Sequence, residues 1–363
     1  MQKEGHTIQA SSFGEGFEFL KRDGIDCKKV PEIGVAWKED GSVSPKRTLL
    51  NLPRNIIIFI IHIVMEFILI NRFKPDIIIS DSRLSSIIIS RIMKIRSMTI
   101  LNQIKIKIPN NKNRKLISTI EIIQNKILVF MWSLSEKIII PDLPPPYTIS
   151  KHSMVKEHRI KKKLKYVGLI IKRNTDNDSL ELINKMKIKR DKRTIFFQIS
   201  GPKKSNTEVV KKIKNNLDSI SEEYNVIISE GNIGKDNQPK KTGNIWLFEW
   251  CDISNELMIE SDIIIIRGGH SSISKALNFG KPIISIPINN HTEQINNAIS
   301  VEEMGLGIKL NENDISHESL KDSIEHILKS DKFINKFRNN IEEYLEMHNK
   351  HDPIKLILEE IKN

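Results

Sequence analysis

The chain has 363 residues, with 57 Lys and Arg against 45 Asp and Glu, a formal charge of +12 and 39% hydrophobic residues. That apolar content, spread along the chain, excludes a disordered protein, and the length suffices for two packed domains. Two cysteines, Cys27 and Cys251, exclude a disulfide scaffold and a Cys-rich zinc site, and fit a reducing, intracellular setting.

Residues Met1 to His6 lack the apolar core of a signal peptide. Gly5-His6 reads as the end of a helix entering a strand. From there strands are predicted at 6–10, 27–30, 76–80, 98–101 and 137–140, with helices at 15–22, 53–72, 85–94 and 114–133 between them. Short β-branched runs alternating with longer helical stretches predict a parallel sheet with helices on both faces.

The run 56–70, IIIFIIHIVMEFILI, calls for a membrane check. Its 15 residues fall short of the roughly 20 that span a bilayer. Glu66, near its middle, would cost about 2.5–3.5 kcal/mol there. The preferred reading is a buried helix feeding the next strand; an amphipathic helix at a membrane interface is the second, and a true span the third.

Pro144-Pro145-Pro146 cannot sit in a helix or a central strand. A stiff, extended segment is predicted, with the domain junction between Pro141 and Arg173. The basic run Lys151 to Lys165 follows, and contains no aromatic residue before Tyr166 on which a base could stack. No nucleic-acid partner is therefore expected; anionic head groups or a phosphorylated substrate suit the charge better.

In the second half, strands are predicted at 194–199, 225–229, 245–248, 262–266 and 282–286. Helices are predicted at 207–224, 271–279, 293–304, 317–329 and 332–347, and a last one at 353–361. Two open α/β domains place a cleft at the C-terminal ends of their strands, where ligands of parallel sheets bind.

One segment carries chemistry. Residues 262–267, DIIIIR, read as a buried strand, followed by Gly268-Gly269-His270-Ser271-Ser272 and the start of a helix. A glycine turn before a helix N-terminus is an anion site, because free N–H groups and the helix dipole face the ligand. The plainer alternative is a helix cap supplied by Ser271 or Ser272. One βα unit later a polar loop runs from Asn289 to Ala298. Its Glu293 and Gln294 suit sugar hydroxyls, or simply the first turn of a helix.

Four motifs then stand in order: Arg267-x-Gly269-x-x-Ser272, Gly280-Lys281-Pro282 leading to Pro287, Glu293-Gln294-x-x-Asn297-Ala298, and Gly305-x-Gly307. Over residues 262–310 the chain resembles the C-terminal domain of glycosyltransferase family 28. That family includes the N-acetylglucosaminyltransferase of peptidoglycan synthesis and relatives acting on glycolipids. Weaker likeness extends to residues 199–202, 248–251, 74–81 and 166–168.

The resemblance implies an α/β GT-B fold, two Rossmann-like domains facing a cleft. Residues 1–165 would be the acceptor-binding domain, 166–348 the nucleotide-sugar domain and 349–363 a closing helix. It implies metal-independent transfer of a hexosyl or N-acetylhexosaminyl group from a nucleoside diphosphate sugar, by family expectation UDP-linked, to a lipid-linked or other acceptor. No cofactor beyond that donor and no metal site are expected. Gly201, Gly269 and Ser272 would touch the diphosphate, with Arg267, Gly268 and Ser271 completing the turn. His270 would donate to the diphosphate or stand as an exposed turn residue. The loop of Phe248, Trp250 and Cys251 would meet the nucleobase, partly through backbone groups. Glu293, Gln294 and Asn297 would hold the sugar.

Two departures qualify the resemblance. Lys275 stands where the family commonly has a Glu that grips the ribose; an ammonium cannot accept from hydroxyls. By that resemblance the first domain also lacks the strand, Gly-rich turn and helix expected before His6, which points to a misassigned start, to a piece supplied by another chain or to an impaired protein. Asp81, after the predicted strand 76–80, is then the candidate general base, or else an N-cap of the next helix. A cytoplasmic protein at the inner face of a membrane is expected from the apolar helix and the positive charge. A nucleotide-sugar 2-epimerase and a binding subunit without turnover are the competing readings.

Overall fold

The structure, a computed structural model, describes residues 5–34, 36, 38, 42, 44–107, 114–154, 158–171, 177–232 and 238–362. Strand Ala10–Ser12, helix Gly14–Arg22 and strand Cys27–Lys29 open the chain, and the two strands pair in parallel as a sheet of their own. The main sheet of the first half joins Ile77–Asp81, Arg96–Ile100, Lys137–Ile140 and Leu164–Tyr166 in that order, all parallel.

Its strands obey the two-residue side-chain period. Ile138 and Ile140 face a layer that includes Ile87, Val129 and Trp132 from the helices Leu84–Ile92 and Arg114–Trp132. Ile139 faces the other way, joining Met98 and Val167 against Leu356, Ile357 and Ile361 of the last helix, Pro353–Lys362. The chain therefore ends on its first half. Glu360 of that helix pairs with Lys137 at 3.1 Å and Lys165 at 3.2 Å, and Arg96 donates to the carbonyls of Glu360 and Ile361.

Arg83 ties the small opening sheet to the larger one. It precedes helix Leu84–Ile92 and reaches back to the first strand, donating to the Ser11 carbonyl and to Ser11 Oγ, both at 2.7 Å. It also pairs with buried Glu66. Glu66 lies on helix Leu52–Phe73, where Ile58, His62, Glu66 and Ile70 form the buried stripe. The predicted buried helix is thus buried along one edge only; its remaining apolar residues face outward.

The second sheet has seven strands among the described residues, in the order Gly307–Lys309, Ile283–Ser285, Ile263–Ile266, Thr194–Gln198, Asn225–Ser229, Ile245–Phe248 and Lys240–Thr242. Only the last is antiparallel. Ile263 to Ile266 sit between two neighbours with helices over both faces, which is why four consecutive isoleucines fit there. Ile264 and Ile266 join one core and Ile263 and Ile265 the other.

Several expectations need correction. The predicted helix 207–224 is two helices, Lys203–Lys214 and Asp218–Glu223. Between them Asn216 turns its amide back to the Lys212 carbonyl at 2.7 Å and its own carbonyl receives His317 Nδ1 at 3.2 Å. In the proline segment Pro141, Asp142 and Leu143 are buried, and strand Leu164–Tyr166 follows in the first sheet. The basic run Lys151 to Lys165 thus leads into a strand, and the passage to the second sheet lies beyond Tyr166. Residues 155–157 of the basic run and Arg173 lie outside the described residues, as do Met1 to Glu4.

Candidate active site

The buried strand Ile263–Ile266 delivers the chain to a turn at Gly268, with φ +80°. A Cβ at Gly268 would lie 2.9 Å from the Gln294 carbonyl oxygen, so this position accepts only glycine without backbone movement. Gly269 differs. Its φ is −65°, and among the described residues a Cβ there meets nothing within 4 Å. Its outer side is open space, where a ligand can approach the backbone.

Gly269 is the N-cap of helix His270–Asn278, and no side chain of the described residues caps that end. The predicted alternative, a cap from Ser271 or Ser272, is therefore not what the serines do. Ser271 is exposed and Ser272 half-buried. The first backbone bond of the helix runs from Ile273 N to the Gly269 carbonyl, so the amides before Ile273 have no carbonyl of the helix to bond. They point with the positive end of the dipole into the cleft.

Arg267 lies behind this turn and does not reach solvent. Its Nη2 donates to Glu312 Oε2 at 2.8 Å and to Ser205 Oγ at 3.1 Å, while Nε and Nη1 have no partner among the described residues. Burial lowers its pKa and Glu312 opposes that shift. The guanidinium thus stands behind the turn, held by Glu312 and Ser205.

His270 is buried, not the exposed turn residue of the alternative reading. Its Nε2 stands 3.1 Å from Asp142 Oδ2, off the line of a hydrogen bond, and its Nδ1 is 3.4 Å from Ser274 Oγ. Asp142 follows strand Lys137–Ile140 of the first sheet and is itself fully buried. It accepts from the amides of Leu143, Ile149 and Ser150 and from Ser150 Oγ. The phosphate-type turn of one half thus rests on a buried carboxylate of the other. The prolines hid Asp142 in the sequence; its place just beyond a strand end was the available signal.

More contacts close the two halves around the cleft. Thr292 Oγ1 donates to the Lys107 carbonyl at 2.9 Å, Asn296 Nδ2 to Ser153 Oγ at 3.3 Å, and the rings of Phe19 and Trp250 lie 6.5 Å apart. Helix Thr292–Glu303 is capped by His291, whose Nδ1 accepts from the Gln294 amide at 3.4 Å. Burial, aided by Arg267, holds His291 below the usual histidine pKa against the pull of Glu293. Gln294 Oε1 accepts from the Ile288 amide at 2.9 Å, and Asn297 Nδ2 donates to the Gly268 carbonyl at 3.2 Å. Both amides therefore shape the loop, and Asn297 Oδ1 remains unpartnered among the described residues. Glu293 is half-buried beside them.

Lys275, one turn into helix His270–Asn278, is partly buried, and burial lowers its pKa while Glu256 opposes the shift. Glu256 is a buried carboxylate on helix Ser254–Glu260, a residue that spacing alone did not single out. Phe248 and Cys251 turn their side chains into the core, where burial pushes the Cys251 thiol well above its ordinary range. Only their backbone can serve a base. Trp250 is half-exposed, its Nε1 donating to Asp252 at 2.6 Å. Gly201, at φ +131°, lies in the turn between strand Thr194–Gln198 and helix Lys203–Lys214, where its carbonyl accepts from Asn206 Nδ2 at 3.0 Å.

Asp81 closes strand Ile77–Asp81 at the surface of the first half. It does not cap the following helix, whose N-cap is Arg83. Flanking protein desolvates the carboxyl and raises its pKa, opposed by the Ser82 hydroxyl at 3.3 Å and by Arg83.

Residues 200–352 match the glycosyltransferase family 28 C-terminal domain. That domain makes the chain similar to glycosyltransferases of family 28. Over 347 residues it is 27% identical to an uncharacterized glycosyltransferase of Methanosarcina acetivorans, covering 92% of this chain and 85% of that one. It is 30% identical over 124 residues to the UDP-N-acetylglucosamine–N-acetylmuramyl-(pentapeptide) pyrophosphoryl-undecaprenol N-acetylglucosamine transferase of Sulfurihydrogenibium sp., covering 33% of this chain and 35% of that one. The solved structure of the Streptomyces sp. SF2575 glycosyltransferase SsfS6, complexed with thymidine diphosphate, superposes with a TM-score of 0.64 at 13% identity. That match covers 99% of this chain and 93% of the other, and establishes the GT-B fold for both halves. The turn at Gly268 and Gly269 falls inside the family 28 domain, and Asp81 and Asp142 fall outside it.

Proposed function

We propose that the chain transfers a hexosyl group from a nucleoside diphosphate sugar to an acceptor bound by the first half. The observation that carries this reading is the uncapped helix start behind Gly268 and Gly269, set at the end of a buried strand and open toward the cleft. As the glycosidic bond breaks, negative charge collects on the departing diphosphate. Amides already fixed in place stabilise that charge without reorganising, and one such donor is typically worth about 2.7–4 kcal/mol. Gly269, Ser271 and Ser272 receive the diphosphate, with Arg267 adding positive potential from behind. Thymidine diphosphate in the SsfS6 complex and the UDP-sugar named for the Sulfurihydrogenibium transferase support this class of leaving group.

Glu293 faces the sugar in this reading, and Gln294 and Asn297 hold its loop. Glu256, beside Lys275, supplies the carboxylate that ribose hydroxyls need and that Lys275 cannot. Asp81 takes the proton of the acceptor hydroxyl; its raised pKa makes it a stronger base than an ordinary carboxylate.

Incubation with UDP- and thymidine-diphosphate sugars plus a polyprenyl-phosphate or glycolipid acceptor tests the reaction. Release of free nucleoside diphosphate that depends on acceptor supports it; an epimerised donor with no release rejects it. Asp81→Asn is expected to lower turnover by about 10²–10⁴-fold while donor affinity stays within twofold. A variant that keeps wild-type turnover removes Asp81 as the base.

A further inference from the structure

The segment that carries the chain out of strand Lys137–Ile140 is a feature that the donor reading does not use. Its Leu143 and Ile149 are fully buried in the core of the second half, together with Ile273, Ala276 and Leu277 of helix His270–Asn278. Residues 142–153 thus form a strap that leaves the first sheet and packs with that helix. Asp142 lies at its root. Oδ1 accepts from the amides of Leu143 and Ile149, and Oδ2 from the amide and hydroxyl of Ser150. Four donors suit a carboxylate in a dry site. Its charge adds to burial in raising the Tyr166 and Tyr344 hydroxyls above the ordinary phenol range.

The same carboxylate faces the glycine turn. Asp142 Oδ2 stands 3.1 Å from Nε2 of His270, the first residue of helix His270–Asn278. Among the described residues Nε2 has no other partner, and Ser274 Oγ lies 3.4 Å from Nδ1 on the far side of the ring. The ring proton belongs on Nε2. On Nδ1 alone it would set the bare Nε2 lone pair against a carboxylate inside the protein, and would take from Ser274 its acceptor. With both nitrogens engaged, the ring keeps no donor for a ligand in the cleft. The turn is pinned on its other side as well. Asn297 Nδ2 holds the Gly268 carbonyl at 3.2 Å, and the adjacent Asn296 donates to Ser153 Oγ at 3.3 Å, at the far end of the strap.

We infer that Asp142 is a positioning residue for the donor: through the Nε2 proton of His270 it fixes the first turn of the helix, so that the amides of His270, Ser271 and Ser272 stand ready for the diphosphate. Asp142 acts through His270 and touches no donor atom. A helix start without a side-chain cap has nothing else of its own to hold it. Donors that need no reorganisation are the ones that stabilise developing charge. Grip on the donor thereby depends on a residue that follows the first sheet. This role rests on the proposed reading that the diphosphate sits at this turn; the place of the ring proton does not.

Heteronuclear NMR of the full chain with isotope-labelled histidine nitrogens locates the ring proton, the His270 signal being the one missing from His270→Gln. A proton on Nε2 is expected, whether or not Nδ1 carries one too; a ring protonated on Nδ1 alone overturns the inference. Calorimetric titration of UDP and thymidine diphosphate then reads the positioning. His270→Leu leaves Asp142 its four other donors and should fold; it is expected to weaken binding about tenfold, the worth of one hydrogen bond. His270→Gln, whose amide reaches the same carboxylate, should restore most of that affinity. Asp142→Asn sets a donor among donors at Ser150; where it folds it should match His270→Leu, and the double variant should lose no more than either single one. Equal affinity in wild type and His270→Leu, no rescue by His270→Gln, or additive losses in the double variant overturns the role of Asp142. A wild type that binds neither nucleotide overturns the donor reading instead, and the ring proton still reports the Asp142 contact.

Discussion

At the scale of single residues, Gly268 and Gly269 divide two duties that the motif presents as one. Gly268 is needed by the fold, because its positive φ and the Gln294 carbonyl 2.9 Å from a Cβ leave no room. Gly268→Ala is expected to cost about 1–3 kcal/mol in denaturant unfolding, the usual range for a side chain forced into such backbone. Gly269→Val should leave stability within about 0.5 kcal/mol, as surface substitutions do. Equal losses in the two variants would contradict this division. His291 gives a pH prediction. Its pKa is lower in the folded chain than in the unfolded one, so the neutral ring contributes stability above about pH 6.5 that is lost as the pH falls toward the folded value. The thermal midpoint should therefore decline from pH 7 to pH 5. His291→Asn, a cap that does not titrate, should show a smaller decline; an unchanged slope would place the acid sensitivity elsewhere.

At the scale of elements, the clasp of Glu66, Arg83 and Ser11 joins a helix, a turn and the small opening sheet. Glu66→Gln leaves Arg83 without its counter-charge in a nearly dry site and is expected to destabilise by about 3–5 kcal/mol, measured by urea unfolding. A change below 1 kcal/mol would mean that water already screens the pair. Elements of this kind were legible where pattern and burial agree. Strands Lys137–Ile140, Asn225–Ser229 and Ile245–Phe248 and helix His317–Lys329 stand where periodicity placed them, because each has a continuous apolar face and a clear stop. Leu164–Tyr166, Lys240–Thr242 and Gly307–Lys309 were not legible. Each has three residues at a sheet edge and carries at least one lysine, which suits an edge and hides a strand. Helix Leu52–Phe73 was found, but which side it buries depends on Arg83 and Pro31, partners that a period in the sequence cannot name.

For the molecule as a whole, two α/β halves meet at a cleft, joined by polar contacts and by apolar ones. Asp142 of the first half stands beside His270 of the second, Thr292 reaches the Lys107 carbonyl, and helix Pro353–Lys362 carries the chain end back onto the first sheet. The glycine turn was legible because four consecutive isoleucines, a double glycine and serines are local signals. Asp142, Glu256 and Glu312 were not, because each takes its meaning from a partner on another element: His270, Lys275 and Arg267. The central claim is that the amides after Gly269 hold the diphosphate of a nucleotide. Calorimetric titration of UDP and thymidine diphosphate into the wild-type chain and into Gly269→Val measures this directly. The account predicts saturable binding of at least one of them by the wild type, weakened at least tenfold by Gly269→Val at unchanged thermal midpoint. Equal affinity in the two proteins would contradict it.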